Sequence, residues 1–186
     1  MEVRIIVSDS KEGNVMNAMT GHMQGEVDPL ELRKALSCFP TGVAIVTTLG
    51  RNGAPVGLTI SSFNSVSMAP PLVLWSLALS AGSLPDFRAH RGFAINILSA
   101  EQEGLCKIFS APVAERFDGL NWEQGFAGVP VISDCAATLE CSTYRTYEGG
   151  DHEIILGEVR AHRHSDHAPL VYGKGKLASF STTATE

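Results

Sequence analysis

The segment 39–77 most limits what this chain can become. Val43, Ile45 and Thr47 alternate with Ala44, Val46 and Thr48, so the two sets fall on opposite faces of a strand. Arg51-Asn52-Gly53 supplies a turn, because Asn-Gly is a strong short hairpin signal. A second strand is expected through Val56, Leu58 and Ile60. Thr59, Ser61, Ser62, Ser65 and Ser67 then crowd hydroxyls between this hairpin and the apolar run 72–77. Such density fits a lip of donors around something polar. It fits equally well a loop with local side-chain-to-backbone bonds.

The rest of the chain repeats the same grammar. Asp28, Pro29 and Glu31 read as N-cap, first helical position and capping-box partner of a helix over 28–37, with Leu32, Ala35, Leu36 and Phe39 as its buried stripe. Ser83 is a candidate cap for a short helix, with Pro85 and Asp86 in its first turn, and a helix start attracts anions. Residues 93–98 read as a strand. Ser99 and Gln102 form a capping box for a helix to Phe109, with Leu105, Ile108 and Phe109 inward. Residues 111–134 read as loop, 137–143 as a strand, 148–152 as a turn, 153–159 as its returning strand and 169–172 as a last short strand. Many short strands with Gly/Pro turns and few helices predict a mainly β fold, barrel or sandwich. Residues 1–26 read as an N-terminal extension able to pack against a partner subunit, 27–178 as one domain, and 179–186 as a tail.

Composition narrows the function classes. The 186 residues carry 44% hydrophobic and 18% charged side chains, which suits a packed core rather than a disordered chain. With a net charge of -6 and no long Lys/Arg cluster, neither nucleic acid nor an anionic membrane is an expected partner. No apolar run reaches a membrane span, and the first residues lack a secretion signal. Cys38, Cys106, Cys135 and Cys141 form no C-x-x-C pair, so reduced thiols in the cytoplasm are expected, although Cys135 and Cys141 are close enough in sequence to bridge. His162, His164 and His167 have a metal-like spacing, but Arg160, Arg163 and Asp166 around them suggest an exposed loop, and no metal site is expected.

Phe39, Thr41-Gly42-Val43, Val56-Gly57, Thr59, Ser61-Ser62-Phe63, Ser65-Val66-Ser67 and Pro70-Pro71-Leu72-Val73 together resemble the signature of the flavin reductase-like family, the small reductase components of two-component flavin monooxygenases. The likeness runs over about 32–177. It implies an FMN-binding split β-barrel with Greek-key connections. It also implies an NAD(P)H:flavin oxidoreductase that passes hydride from NADH or NADPH to FMN or FAD and supplies reduced flavin to a partner monooxygenase. Members usually work as homodimers. The alternatives are a flavoprotein that retains FMN and acts on its own substrate, or a non-catalytic flavin-binding module.

The same resemblance implies site residues. Val56, Gly57, Leu58 and Thr59 would line the flavin ring edge, with backbone approaching closely at Gly57. Ser76, Leu77 and Ala78 would flank the other side, Ser61 and Ser62 would donate hydrogen bonds, and Ser83 would take the phosphate end. Gly149-Gly150-Asp151-His152 is similar to the family's G-D-H turn, with His152 positioning the nicotinamide rather than transferring protons. Tyr172, and Phe117 less so, would border the pocket, and both suit a core equally. Without a G-x-G-x-x-G after a strand, the nicotinamide cofactor would fold over the flavin instead of binding a Rossmann unit. Many members carry Lys or Asn in the stretch matching Leu77-Ala78-Leu79. Here it is aliphatic, so a phosphate or adenine contact is either missing or replaced by Arg88 or Arg91, and the choice between FMN and FAD stays open.

Overall fold

The computed structural model describes residues 27–111 and 115–180. Along the chain run α1 (Pro29–Leu36), β1 (Thr41–Gly42), β2 (Ala44–Leu49), β3 (Pro55–Ile60), β4 (Asn64–Met68) and β5 (Pro71–Ala78). Next come α2 (Leu84–His90), β6 (Gly92–Ile97), α3 (Glu103–Ser110), β7 (Trp122–Gln124) and β8 (Pro130–Ile132). The last four are β9 (Ala137–Gly149), β10 (His152–His164), β11 (Leu170–Gly173) and β12 (Lys176–Ser179). The expected extension over 1–26 and the tail beyond Phe180 lie outside the described residues.

The fold is mainly β. Seven strands form an antiparallel sheet in the order β3-β2-β6-β9-β10-β5-β4. Strands β5 and β6, consecutive in the chain through α2, are separated in the sheet by the later β9–β10 hairpin, a Greek-key jump. Strands β3 and β4 stand at opposite ends of the order, yet only Ser61, Ser62 and Phe63 join them. Four extended steps reach at most roughly 14 Å, so the sheet has to curl until its two ends meet at that short linker. The interior this creates holds side chains from β2, β3, β5, β6, β9 and β10, among them Val46, Ile60, Trp75, Phe93, Cys141 and Ile155, with Phe87 of α2. Trp75 is fully buried and meets Phe87 and Phe93 edge-on at centroid distances of 5.0 and 5.7 Å. A second cluster, with Val43, Ile45, Leu98, Phe109 and Leu170, packs α3 and β11 against the sheet.

Several sequence expectations change. The Ser65-Val66-Ser67 stretch is part of a strand, β4, paired to β5. The 111–134 loop contains the β7–β8 pair, where Trp122 faces Ile132. The β9–β10 hairpin is much longer than its apolar alternation suggested, with 13 residues in each strand. Polar residues 144–148 extend it through ladder bonds rather than burial. His162 and His164 therefore belong to exposed β10 rather than to a loop.

Helix α1 forms as read, with Asp28 accepting the Leu30 N–H at 2.8 Å, but Glu31 pairs with Lys34 at 2.7 Å. Its apolar stripe is not buried in the single chain: Leu32, Leu36 and Phe39 are all exposed, because the helix stands clear of both core clusters. In α3, Phe109 is buried and Leu105 is partly so, while Ile108 faces outward. Gln102 does accept the Ser99 N–H, at 3.1 Å. All four cysteines are free.

Candidate functional site

The short linker between the sheet ends carries the first part of the site. Ser62 Oγ accepts the Ser76 N–H at 3.0 Å and donates to the Ser76 carbonyl at 3.3 Å, so the linker is fastened to β5. Ser61, beside it, is exposed, and its hydroxyl has no hydrogen bond among the described residues. Thr59 donates to the Cys106 carbonyl at 3.0 Å, tying β3 to α3. Thr59, Ser61 and Tyr172 line one open cleft of about 300 Å³ together with Val43, Cys106 and Leu177. Tyr172 is brought there by the pairing of β11 with β1, opposite Thr41.

The second part is the hairpin turn. Gly150 has φ +71, a conformation that favours glycine, and this closes the 149–152 turn tightly. His152 lies opposite Ala78 in the β5–β10 ladder, and the Leu79 N–H donates to the Asp151 carbonyl at 2.9 Å. The turn is thereby fixed beside the end of β5, the strand that Ser62 also holds. The His152 ring is partly exposed, with Nδ1 2.7 Å from Asp151 Oδ1. That hydrogen bond, with the attraction of the imidazole, holds the Asp151 carboxylate below its ordinary range. Gly150 and His152 line a larger open cleft of about 570 Å³ with Leu79, Arg88, Tyr147 and Glu153.

Other anticipated residues take different places. The Val56 and Leu58 side chains are partly buried against the main core, and Leu77 is buried in it, so Leu77 offers only backbone to a ligand. Gly57 is buried, and a methyl group there would stand 2.8 Å from Phe109 Cε1 and 3.2 Å from Phe117 Cζ, so packing alone accounts for the glycine. Phe117 stacks edge-on with Phe109 and Trp122 and is partly buried against the second core cluster. Ser83 precedes α2 without a side-chain capping bond, which leaves its hydroxyl uncommitted. No group of three His, Cys, Asp or Glu side chains among the described residues is arranged to hold a metal.

Arg116, within the stretch expected to be loop, takes a structural role. It donates to the carbonyls of Gly57 at 2.7 Å and Ala111 at 2.6 Å, pinning the stretch after α3 onto β3. Only three-dimensional proximity reveals this, since 59 residues separate Arg116 from Gly57.

The donor set fits a flavin. Uncommitted hydroxyls at Ser61 and Ser83 flank the end of β5, whose last backbone groups lie next to an ordered histidine turn. Residues 36–181 match the family model described as "Flavin reductase like domain". The chain is 44% identical over 149 residues to "FMN reductase (NADH) SmoA" of Agrobacterium fabrum, which covers 80% of this chain and 84% of that protein. It is 37% identical over 156 residues to the reductase component of a flavin-dependent trigonelline monooxygenase of Acinetobacter baylyi, covering 84% of this chain and 50% of that one. Among solved structures, the NADH:FAD oxidoreductase of Streptomyces globisporus in complex with NAD and FAD fragments superposes with a TM-score of 0.79. It has 37% identity and covers 87% of this chain and 99% of that chain. The chain spans about half the length of two of the curated relatives it matches, the trigonelline component among them.

Proposed function

This chain belongs to the flavin reductase-like family, and on that premise we propose that it is an NAD(P)H:flavin oxidoreductase. The observation that carries the reading is the fastening of two separate sequence features to one strand end. Ser62 is hydrogen-bonded to Ser76, and the Asp151-His152 turn is bonded to Leu79 and registered on Ala78. A ring held by the linker and a nicotinamide held by the turn would therefore meet across the end of β5.

Flavin, once bound, would supply the two-electron acceptor for hydride from a reduced nicotinamide, which would leave as NAD(P)⁺. Ser61 and Ser83 would donate hydrogen bonds to it, while Ser62 keeps the linker in place. His152 donates toward the nicotinamide side while Asp151 sets its ring orientation. No side chain has to move a proton in the hydride step, so alignment is the protein's main contribution.

The exposed Leu30, Leu36 and Phe39 of the α1 region offer apolar surface for a second copy, which supports a homodimer. The trigonelline relative is a reductase component, which supports a separate monooxygenase as the consumer of reduced flavin. No helix among the described residues is long and apolar enough to cross a membrane, and four free thiols suit a reducing cytoplasm. The test is steady-state oxidation of NADH and NADPH with free FMN and free FAD. Turnover with at least one pair is expected, and a folded protein that oxidises neither nucleotide with either flavin would refute the reading.

A further inference from the structure

Next to the His152 cleft lies another, of about 400 Å³, between α2 and the β9–β10 hairpin. Arg88, Arg91, Thr143, Arg145, Thr146 and Glu153 line it. The two clefts share Arg88, Thr146 and Glu153 as a common wall. Three of the 14 Lys and Arg residues of an acidic chain thus converge on one concavity.

The charges there are not mutually cancelled. Arg88 donates through Nε to Glu153 Oε2 at 2.9 Å, and its Nη2 reaches the same oxygen, so the nearly buried Glu153 carboxylate is spent on Arg88. Arg91 and Arg145 have no ion pair or side-chain hydrogen bond among the described residues. Two unpaired guanidiniums beside two threonine hydroxyls form a donor-rich, cationic lining, and planar guanidinium forks suit phosphate oxygens in particular. Arg91 is the left-handed C-cap of α2, with φ 61. The cleft also lies at a useful distance. Arg145 stands opposite Leu156, four residues along β10 from His152, or roughly 13 Å at the rise of a strand. The parts of a dinucleotide that extend this far from a ring held at His152 are its pyrophosphate and adenosine.

We propose that the cleft between α2 and the β9–β10 hairpin is a pyrophosphate subsite, in which Arg91 and Arg145 hold the adenosine diphosphate end of a dinucleotide. The inference rests on the reading of the His152 cleft given above. Either FAD or the nicotinamide dinucleotide carries this group, and the test separates them.

ADP is the direct probe, titrated calorimetrically into wild-type protein and into R91N/R145Q, where asparagine tolerates the left-handed backbone. Wild-type protein binds ADP, and the double variant binds it about tenfold or more weakly, the usual scale for lost hydrogen bonds to a charged group. Arg145 lies on an exposed strand, so R145Q alone gives a second variant with no backbone demand and shows part of the same loss. If FAD affinity falls while FMN affinity is unchanged, FAD is the occupant. If KM rises for NADH but not for reduced nicotinamide mononucleotide, the nicotinamide dinucleotide is. Equal ADP affinity in wild-type and variant proteins, or no ADP binding by the wild type, overturns the proposal. Because ADP titration requires no turnover, ADP binding lost in the variant supports the subsite even if no flavin is reduced. That combination would refute the activity and not the cleft.

Discussion

Ser62 Oγ is bonded to both backbone groups of Ser76, accepting at 3.0 Å and donating at 3.3 Å. One hydroxyl thus does locally what a ladder pair does between neighbouring strands, at the place where the two ends of the seven-stranded sheet are joined by only three residues. Ser61, the adjacent residue, is left with an uncommitted hydroxyl. The pair therefore divides two tasks that the sequence presents as one serine-rich stretch.

This division makes the two serines separable by mutation. Ser62→Ala removes two internal hydrogen bonds and should lower the stability of the flavin-free protein by about 1–3 kcal/mol, with flavin affinity falling as the linker loosens. Ser61→Ala should leave thermal stability unchanged and weaken flavin binding alone. Thermal melts without flavin, paired with fluorescence titration of FMN, measure both. Unchanged flavin affinity in the Ser61→Ala/Ser62→Ala double variant would remove the linker from the site.

Gly57 distinguishes packing from ligand approach. The methyl group of Gly57→Ala would meet Phe109 at 2.8 Å, inside a buried and aromatic contact. Overpacking of this kind costs about 1–3 kcal/mol, and the loss should appear in denaturant unfolding of the protein without flavin. If Gly57 instead serves only the approach of a ring, Gly57→Ala would unfold like the wild type and lose flavin affinity.

Much of this was legible in the sequence because it is local. Alternation gave β2 and β3, Asn52-Gly53 gave their turn, and Asp28 marked the start of α1. The double glycine before Asp151-His152 gave the hairpin tip. What was not legible depends on partners distant in the chain. Ser65-Val66-Ser67 looks like a loop until β5 supplies its ladder. The outer part of β9 is polar and becomes a strand only through β10. Arg145 lies in that polar part, and nothing in its own neighbourhood links it to Arg91. The stripe on α1 has the helical period of a buried face, and it is exposed because no described element packs over it.

The cysteines predict a base-sensitive protein. Burial pushes the Cys135 and Cys141 thiols up to about 12. A thiol whose pKa is raised on folding stabilises the protein fully below its unfolded value and loses that contribution as pH rises through the folded value. Stability should therefore decline progressively from about pH 8.5, the free-thiol value, toward pH 12. In native protein near neutral pH, Ellman's reagent should label exposed Cys38 quickly and the partly buried Cys106, whose thiol is also raised by burial, more slowly. Cys135 and Cys141 should react only after denaturation. Four fast-reacting thiols in the folded protein would contradict the buried positions of these two.

His152 is the residue on which the nicotinamide assignment turns. Its backbone is fixed by the Ala78 register and by the Leu79-to-Asp151 hydrogen bond, and its side chain is oriented by Asp151 in an open cleft. The group is thus arranged to orient a ligand, and hydride transfer to flavin needs alignment more than acid–base help. His152→Ala should raise KM for the nicotinamide nucleotide and leave FMN affinity nearly unchanged. The loss in kcat/KM should be about 1–3 kcal/mol, the scale of one hydrogen bond to a charged or buried group. His152→Asn keeps a donor and should recover part of that loss, which a merely structural histidine would not allow. Asp151→Asn should produce a smaller effect in the same direction, because it loosens the ring without removing it. If His152→Ala loses FMN and keeps its KM for the nucleotide, the turn belongs to the flavin and the nicotinamide must enter from the Tyr172 side.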